Sequence, residues 1–127
     1  WVELPEYTQQ GSFVSQRAIN TKRDQIVRLL AAYAKLYRYL HTPESKQDFI
    51  TARAKTLGGK ADESDSIFQW EWIQKYKPFS VNLELPEERI RYLEDINISV
   101  GAQKQRLPID KIADMSLARD AIKLLTK

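Results

Sequence analysis

A chain of 127 residues with 43% apolar side chains is long enough for one domain with a modest core and too apolar to be disordered. Twenty basic and 17 acidic residues leave a net charge of +3, and they are interspersed along the chain, so no nucleic-acid partner is expected. The absence of cysteine excludes disulfide scaffolds and thiolate-held metals, and no run approaches the roughly 20 apolar residues of a membrane helix.

Residue 1 is Trp, and no methionine precedes Met115. No charged n-region followed by an apolar stretch opens the chain, so a processed chain or a piece of a longer protein is expected. Residues 1–10 have no helical period, and Leu4-Pro5 biases the backbone to extended form. A short strand is expected over about Ser12–Arg17, where Phe13 and Val14 stand together. A lone strand leaves its edge hydrogen bonds unmade, so its partners are expected outside this chain.

Residues 20–41 carry the strongest signal. Thr21 and Asp24 form a capping-box pattern ahead of an apolar run. Ile26, Leu29, Leu30, Tyr33, Leu36, Tyr37 and Leu40 then recur at helical steps and predict the buried face. Pro43 ends that helix and opens a second, with Thr42 as its cap. Gly58-Gly59 closes the second helix, since glycine accepts the left-handed conformation of a C-cap.

A third helix is expected over 61–78, acidic at its start, with Ile67, Phe68, Trp70, Trp72, Ile73 and Tyr76 on more than one buried side. Residues 79–85 read as extended. A fourth helix follows at about 86–97, with Ile90, Leu93 and Ile96 buried. Gly101 marks a turn, and "QKQRLPID" reads as a loop. The chain closes on a helix capped by Asp114, whose Leu117, Ala121, Ile122 and Leu125 form an apolar face. The expected fold is thus mainly α: one short strand and about five helices.

Chemistry-bearing motifs are sparse. His41, the single histidine, reads as a helix-end residue interacting with free carbonyls rather than as a base, because no nucleophile or orienting acid accompanies it. "DESD" (62–65) reads as a solvated helix start, and no ligand-spaced set suggests a metal or other cofactor. "LGGK" (57–60) lacks the full phosphate-loop spacing. "FQWEW" (68–72) and Tyr33 and Tyr37 read as core before they read as stacking platforms.

The order of features resembles the C-terminal part of the periplasmic solute-binding proteins of ABC importers, in the branch that handles nitrate, sulfonates, taurine and thiamine precursors. The resemblance rests on Pro5 and Tyr7, "FVSQRAI", "RLLAAYAKLYRYLH", Gly101, Leu107-Pro108 and "DMSLARDA" (114–121), and covers about residues 5–125. It implies a parent with an α/β two-lobe, type II periplasmic binding fold, closing on its ligand by hinge motion. Residues 1–19 would then be a crossover segment with its strand, and 20–127 a helical portion packed on the first lobe.

The implied function is non-enzymatic: capture of a small polar or anionic solute for delivery to a membrane permease, in the periplasm or lipid-anchored outside the cytoplasmic membrane. The solute contacts expected from this portion are Tyr7, Gln9 and Gln10, whose hydroxyl and amide groups suit a small polar ligand. The partners implied are the solute, the permease and the remainder of the same protein. Two alternatives stand beside this one: a thiamine-precursor synthase-like enzyme of the same fold, and a small helical interaction or DNA-binding module. On the leading reading the closing helix docks on a lobe, its apolar face partly exposed here or covered by helices 20–41 and 86–97.

Overall fold

The computed structural model describes residues 11–60 and 62–126. These are mainly helical. The elements are α1 (Gln16–Leu40), a 3-10 turn (Pro43–Ser45), α2 (Lys46–Thr56), α3 (Glu63–Tyr76), α4 (Glu87–Ser99), α5 (Ile109–Ile112) and α6 (Ser116–Lys123). No strand occurs among the described residues.

The strand expected over Ser12–Arg17 is therefore corrected. Residues 11–15 are irregular, and Phe13 is 98% exposed. Ser15 starts α1 instead: its Oγ accepts the Ala18 N–H at 3.2 Å, and its carbonyl accepts the Ile19 N–H at 3.0 Å. A side-chain cap and a helical bond are both available locally, whereas a ladder needs a neighbouring strand. The cap signal at Thr21 marks a different event. α1 leaves helical geometry at Lys22 (φ −135°, ψ 25°), and the Thr21 hydroxyl donates back to the Arg17 carbonyl at 2.8 Å. Helix start and helix break are thus less than two turns apart.

Two other expectations shift. Residues 79–85 are not a continuous extended run: a turn at Val81–Asn82 leads into Leu83 with a left-handed φ of 59°. Part of the expected loop before Asp114 forms the single turn α5, entered through Pro108. Both glycine stops hold. Gly101 (φ 76°) ends α4 with its N–H on the Ile98 carbonyl and the Ala102 N–H on that of Asn97. Gly58 and Gly59 end α2 in the same two-bond pattern, on Lys55 and Ala54.

The chain divides into two compact units, one joining the residues up to Ala31 with those from Leu83 onward, the other running Ala32–Asn82. In the first, Val27 and Ala31 of α1 meet Leu117 and Ala121 of α6, with Ile19, Leu30, Leu83 and Leu125 packed around them. The closing helix thus packs on α1 through Leu117 and Ala121; Ala118 is also buried, Ile122 is half-buried and Leu124 exposed. The N-cap position is Met115; Asp114, one residue before it, accepts the Ser116 N–H of the first turn at 2.9 Å.

α4 buries an acid where three apolar residues were expected to dominate. Glu94 is buried, while Ile90, Leu93 and Ile96 are half-buried. Its carboxylate takes Arg91 Nη1 at 2.7 Å, Gln103 Nε2 at 3.1 Å and the Leu107 N–H at 2.8 Å. Arg106 adds a two-pronged contact to Asp95. The loop 101–108 is therefore bound to α4 by polar bonds.

In the second unit α2 packs on α3. The Trp70 indole N–H donates to the fully buried Ser45 hydroxyl at 3.0 Å, and that hydroxyl donates to the Thr42 carbonyl at 2.8 Å. Asp62 caps α3 through the Ser64 N–H. Ile73 is buried, but Phe68 and Tyr76 are exposed, so α3 does not bury the two full sides expected of it.

The buried face of α1 is also rotated from expectation. In the first unit's stretch Val27 and Ala31 are buried and Leu29 is 57% exposed; in the second unit's stretch Ala34 is buried and Tyr33 and Leu36 are 41% and 45% exposed.

Candidate functional site

The residues expected to touch solute, Tyr7, Gln9 and Gln10, lie outside the described residues. Within the first unit an open concavity of about 470 Å³ forms where the start of α1, the start of α4, α5 and the entry to α6 converge. Its lining is mixed: Ile90, Ile109 and Met115 are apolar, Glu87 and Asp110 are acidic, and Arg119 is basic.

Asp114 joins that lining to a charged cluster that ties α1 to α6. Arg23 Nη2 reaches Asp120 Oδ2 at 2.7 Å and Ser116 Oγ at 2.9 Å, with Asp114 Oδ2 at 3.9 Å from Nη1. The Ser116 hydroxyl and N–H hold the Asp114 carboxyl below the usual carboxylate range, with Arg23 and Arg119 assisting. The Arg23 guanidinium, then Lys123, lowers Asp120 in the same way. The Ser116 hydroxyl donates to Asp114 and accepts from Arg23, an arrangement that fixes a helix entrance rather than activating a nucleophile.

In the second unit the structure places His41 differently from its helix-end reading. The carbonyls at the end of α1 are already taken. Gln74 Nε2 donates to the Leu40 carbonyl at 2.7 Å, and the Lys77 ammonium donates to the His41 carbonyl. The His41 ring instead accepts the Phe79 N–H on Nε2 at 3.4 Å, and it stacks on the Phe79 ring, centroids 5.8 Å apart. Phe79 in turn stacks on Tyr37 at 4.9 Å and 7°. Burial, and secondarily Lys77, pushes the imidazole pKa down from its ordinary 6.5.

The other motifs are absorbed by structure. Asp62 and Asp65 of "DESD" cap α3 and pair with Arg53. The glycines of "LGGK" form a helix stop. Trp70 of "FQWEW" binds Ser45 and lies under the Lys46 ammonium, 5.3 Å from the ring centroid. Among the described residues no group of three or more His, Cys, Asp or Glu side chains is placed to hold a metal ion. The Glu94 anchor was missed altogether. Its one signal is the three-residue spacing from Arg91, which is too common to single out.

No family model, curated protein or solved structure matched the chain in comparison. Among the described residues no helix is long and apolar enough to cross a membrane.

Proposed function

We propose that this chain is the C-terminal portion of the solute-binding component of an ABC importer, with the two-lobe, type II periplasmic binding fold as its setting. It would capture a small polar or anionic solute of the nitrate, sulfonate, taurine or thiamine-precursor kind and deliver it to a membrane permease, outside the cytoplasmic membrane. Tyr7, Gln9 and Gln10 would supply solute contacts from this portion.

The observation that carries the reading is the apolar surface of α1. Val27, Ala31 and Ala34 are buried, yet Leu29, Tyr33 and Leu36 also form an apolar row and stand exposed. A helix covered on one side alone would carry polar groups there. Two apolar faces suit a helix that lies between layers, as a helix of an α/β lobe does. The remainder of the parent protein would supply the second layer.

The test is solute binding by the intact protein, followed by thermal shift with nitrate, taurine, an alkanesulfonate and a thiamine-precursor pyrimidine. One of these is expected to raise Tm with concentration, and replacing Tyr7, Gln9 and Gln10 by alanine is expected to weaken that effect. No shift with any of the four overturns the reading. A shift that survives the triple substitution overturns the site assignment.

A further inference from the structure

We infer that His41 is an acid-released latch on the segment Lys77–Asn82. That segment leaves α3 through Lys77 in a left-handed conformation (φ 43°) and returns past the end of α1. It is held at two places. Near its start, Phe79 gives its N–H to His41 Nε2 and its ring to the stack between His41 and Tyr37. At its far end, Arg38 Nε donates to the Val81 carbonyl at 3.2 Å and Nη2 to Asn82 Oδ1 at 3.1 Å.

Only the first hold titrates near neutrality. His41 accepts on Nε2, which requires its ring proton on Nδ1. Protonation of Nε2 turns that acceptor into a donor facing another donor, and the Phe79 N–H loses its partner. Burial and the Lys77 ammonium of α3, already seated on the His41 carbonyl, disfavour the new charge, as does the Phe79 backbone N–H of the segment itself; the Phe79 ring stacked on the imidazole is the neighbour that tolerates it. The helix-end carbonyls that would welcome a cation have been taken by Gln74 and Lys77. The Arg38 contacts to Val81 and Asn82 do not involve the imidazole. Protonation therefore removes the N–H bond of the latch at Phe79, while the Phe79 stack on Tyr37 and the Arg38 contacts to Val81 and Asn82 remain. This device stands independently of the solute-binding reading.

The sequence contains one histidine, so every imidazole signal belongs to His41. The test is an NMR titration of the full chain from about pH 8 to 4.5, following the ring protons and the backbone amides. The ring is expected to titrate below 6.5, and the Phe79 amide to shift and lose exchange protection at the same midpoint. His41→Phe keeps an aromatic ring for the stack but cannot take up the proton, and should abolish the step at Phe79. A ring midpoint at or above 6.5, or a Phe79 amide unmoved while the ring titrates, overturns the inference. Should the variant fail to fold, the ring and amide midpoints of the unaltered chain still decide between the two.

Discussion

The Glu94 carboxylate accepts the backbone N–H of Leu107 at 2.8 Å, closing 13 residues of chain on a single buried acid. Arg91 reinforces the closure by bonding both Glu94 and the Leu107 carbonyl, each at 2.7 Å. Replacing Glu94 by alanine would leave three donors facing the gap it vacates. The expected result is a fall in the urea midpoint well beyond that of Asp95→Ala, whose partner Arg106 remains in solvent. Parallel urea melts of the two variants, followed by circular dichroism, check it.

The same acid sets an acid limit on stability. The Leu107 N–H first, then Arg91 and Gln103, hold the Glu94 carboxyl below its ordinary value of 4.5. Between the two values the unfolded chain binds more protons than the folded one, so stability rises with pH there. The contribution is complete above about 4.5 and is lost as pH falls through the folded value. Glu94→Gln is expected to flatten the acid limb of a stability–pH curve measured by urea unfolding.

Leu117 is the largest buried side chain where α6 meets α1, at 5% exposure. Leu117→Ala should cost about 2–5 kcal/mol, the transfer loss plus the cavity left behind. Equilibrium denaturation measures it. A cost below about 1 kcal/mol would mean that α6 is not held as described.

Gly101 needs its left-handed conformation, and nothing lies within 4 Å of where a Cβ would stand. Gly101→Ala is therefore a purely conformational change, expected to cost about 1–2 kcal/mol. Gly11→Ala, at a position with no such φ and equally open space, is the matched control and should change little.

Leu29 and Val27 are two residues apart and behave oppositely. Val27→Ala removes buried methyls and should destabilise the chain by about 1–3 kcal/mol, whereas Leu29→Ser should stay within about 0.5 kcal/mol. In the intact protein, the proposed second layer over α1 would turn Leu29→Ser into a destabilising change as well. Thermal melts of both variants in both contexts separate the cases.

Much of the helical framework was legible in sequence because its punctuation is local. Asp114, Gly58 and Gly101 act on backbone groups within a few residues, so spacing alone locates them. The rest depended on partners. Phe13 and Val14 have the composition of a strand, but a strand is a relation between two segments, and Ser15 offered a helix start at once. Thr21 was read as a cap and lies beside a break, because the turn before it also satisfies helical bonds. The α1 face was misassigned since periodicity weighs large apolar residues most, and this interface selected alanines. Glu94 and the His41–Phe79 pair depend on contacts between residues far apart in the chain, which no motif records. The expected solute contacts fall outside the described residues and stand as the sequence left them.

The indole of Trp70 is fixed on Ser45, and Trp72 lies one turn from Tyr76 on the same helix, their rings 5.5 Å apart. In a Trp1→Phe variant, tryptophan emission would therefore report on the unit built from α2 and α3 and stay blind to the one carrying α4, α5 and α6. Emission and far-ultraviolet ellipticity followed in one denaturant series become two separate clocks. Coincident curves would mark a single cooperative transition, and an early or late fluorescence change would give the order in which the two units come apart.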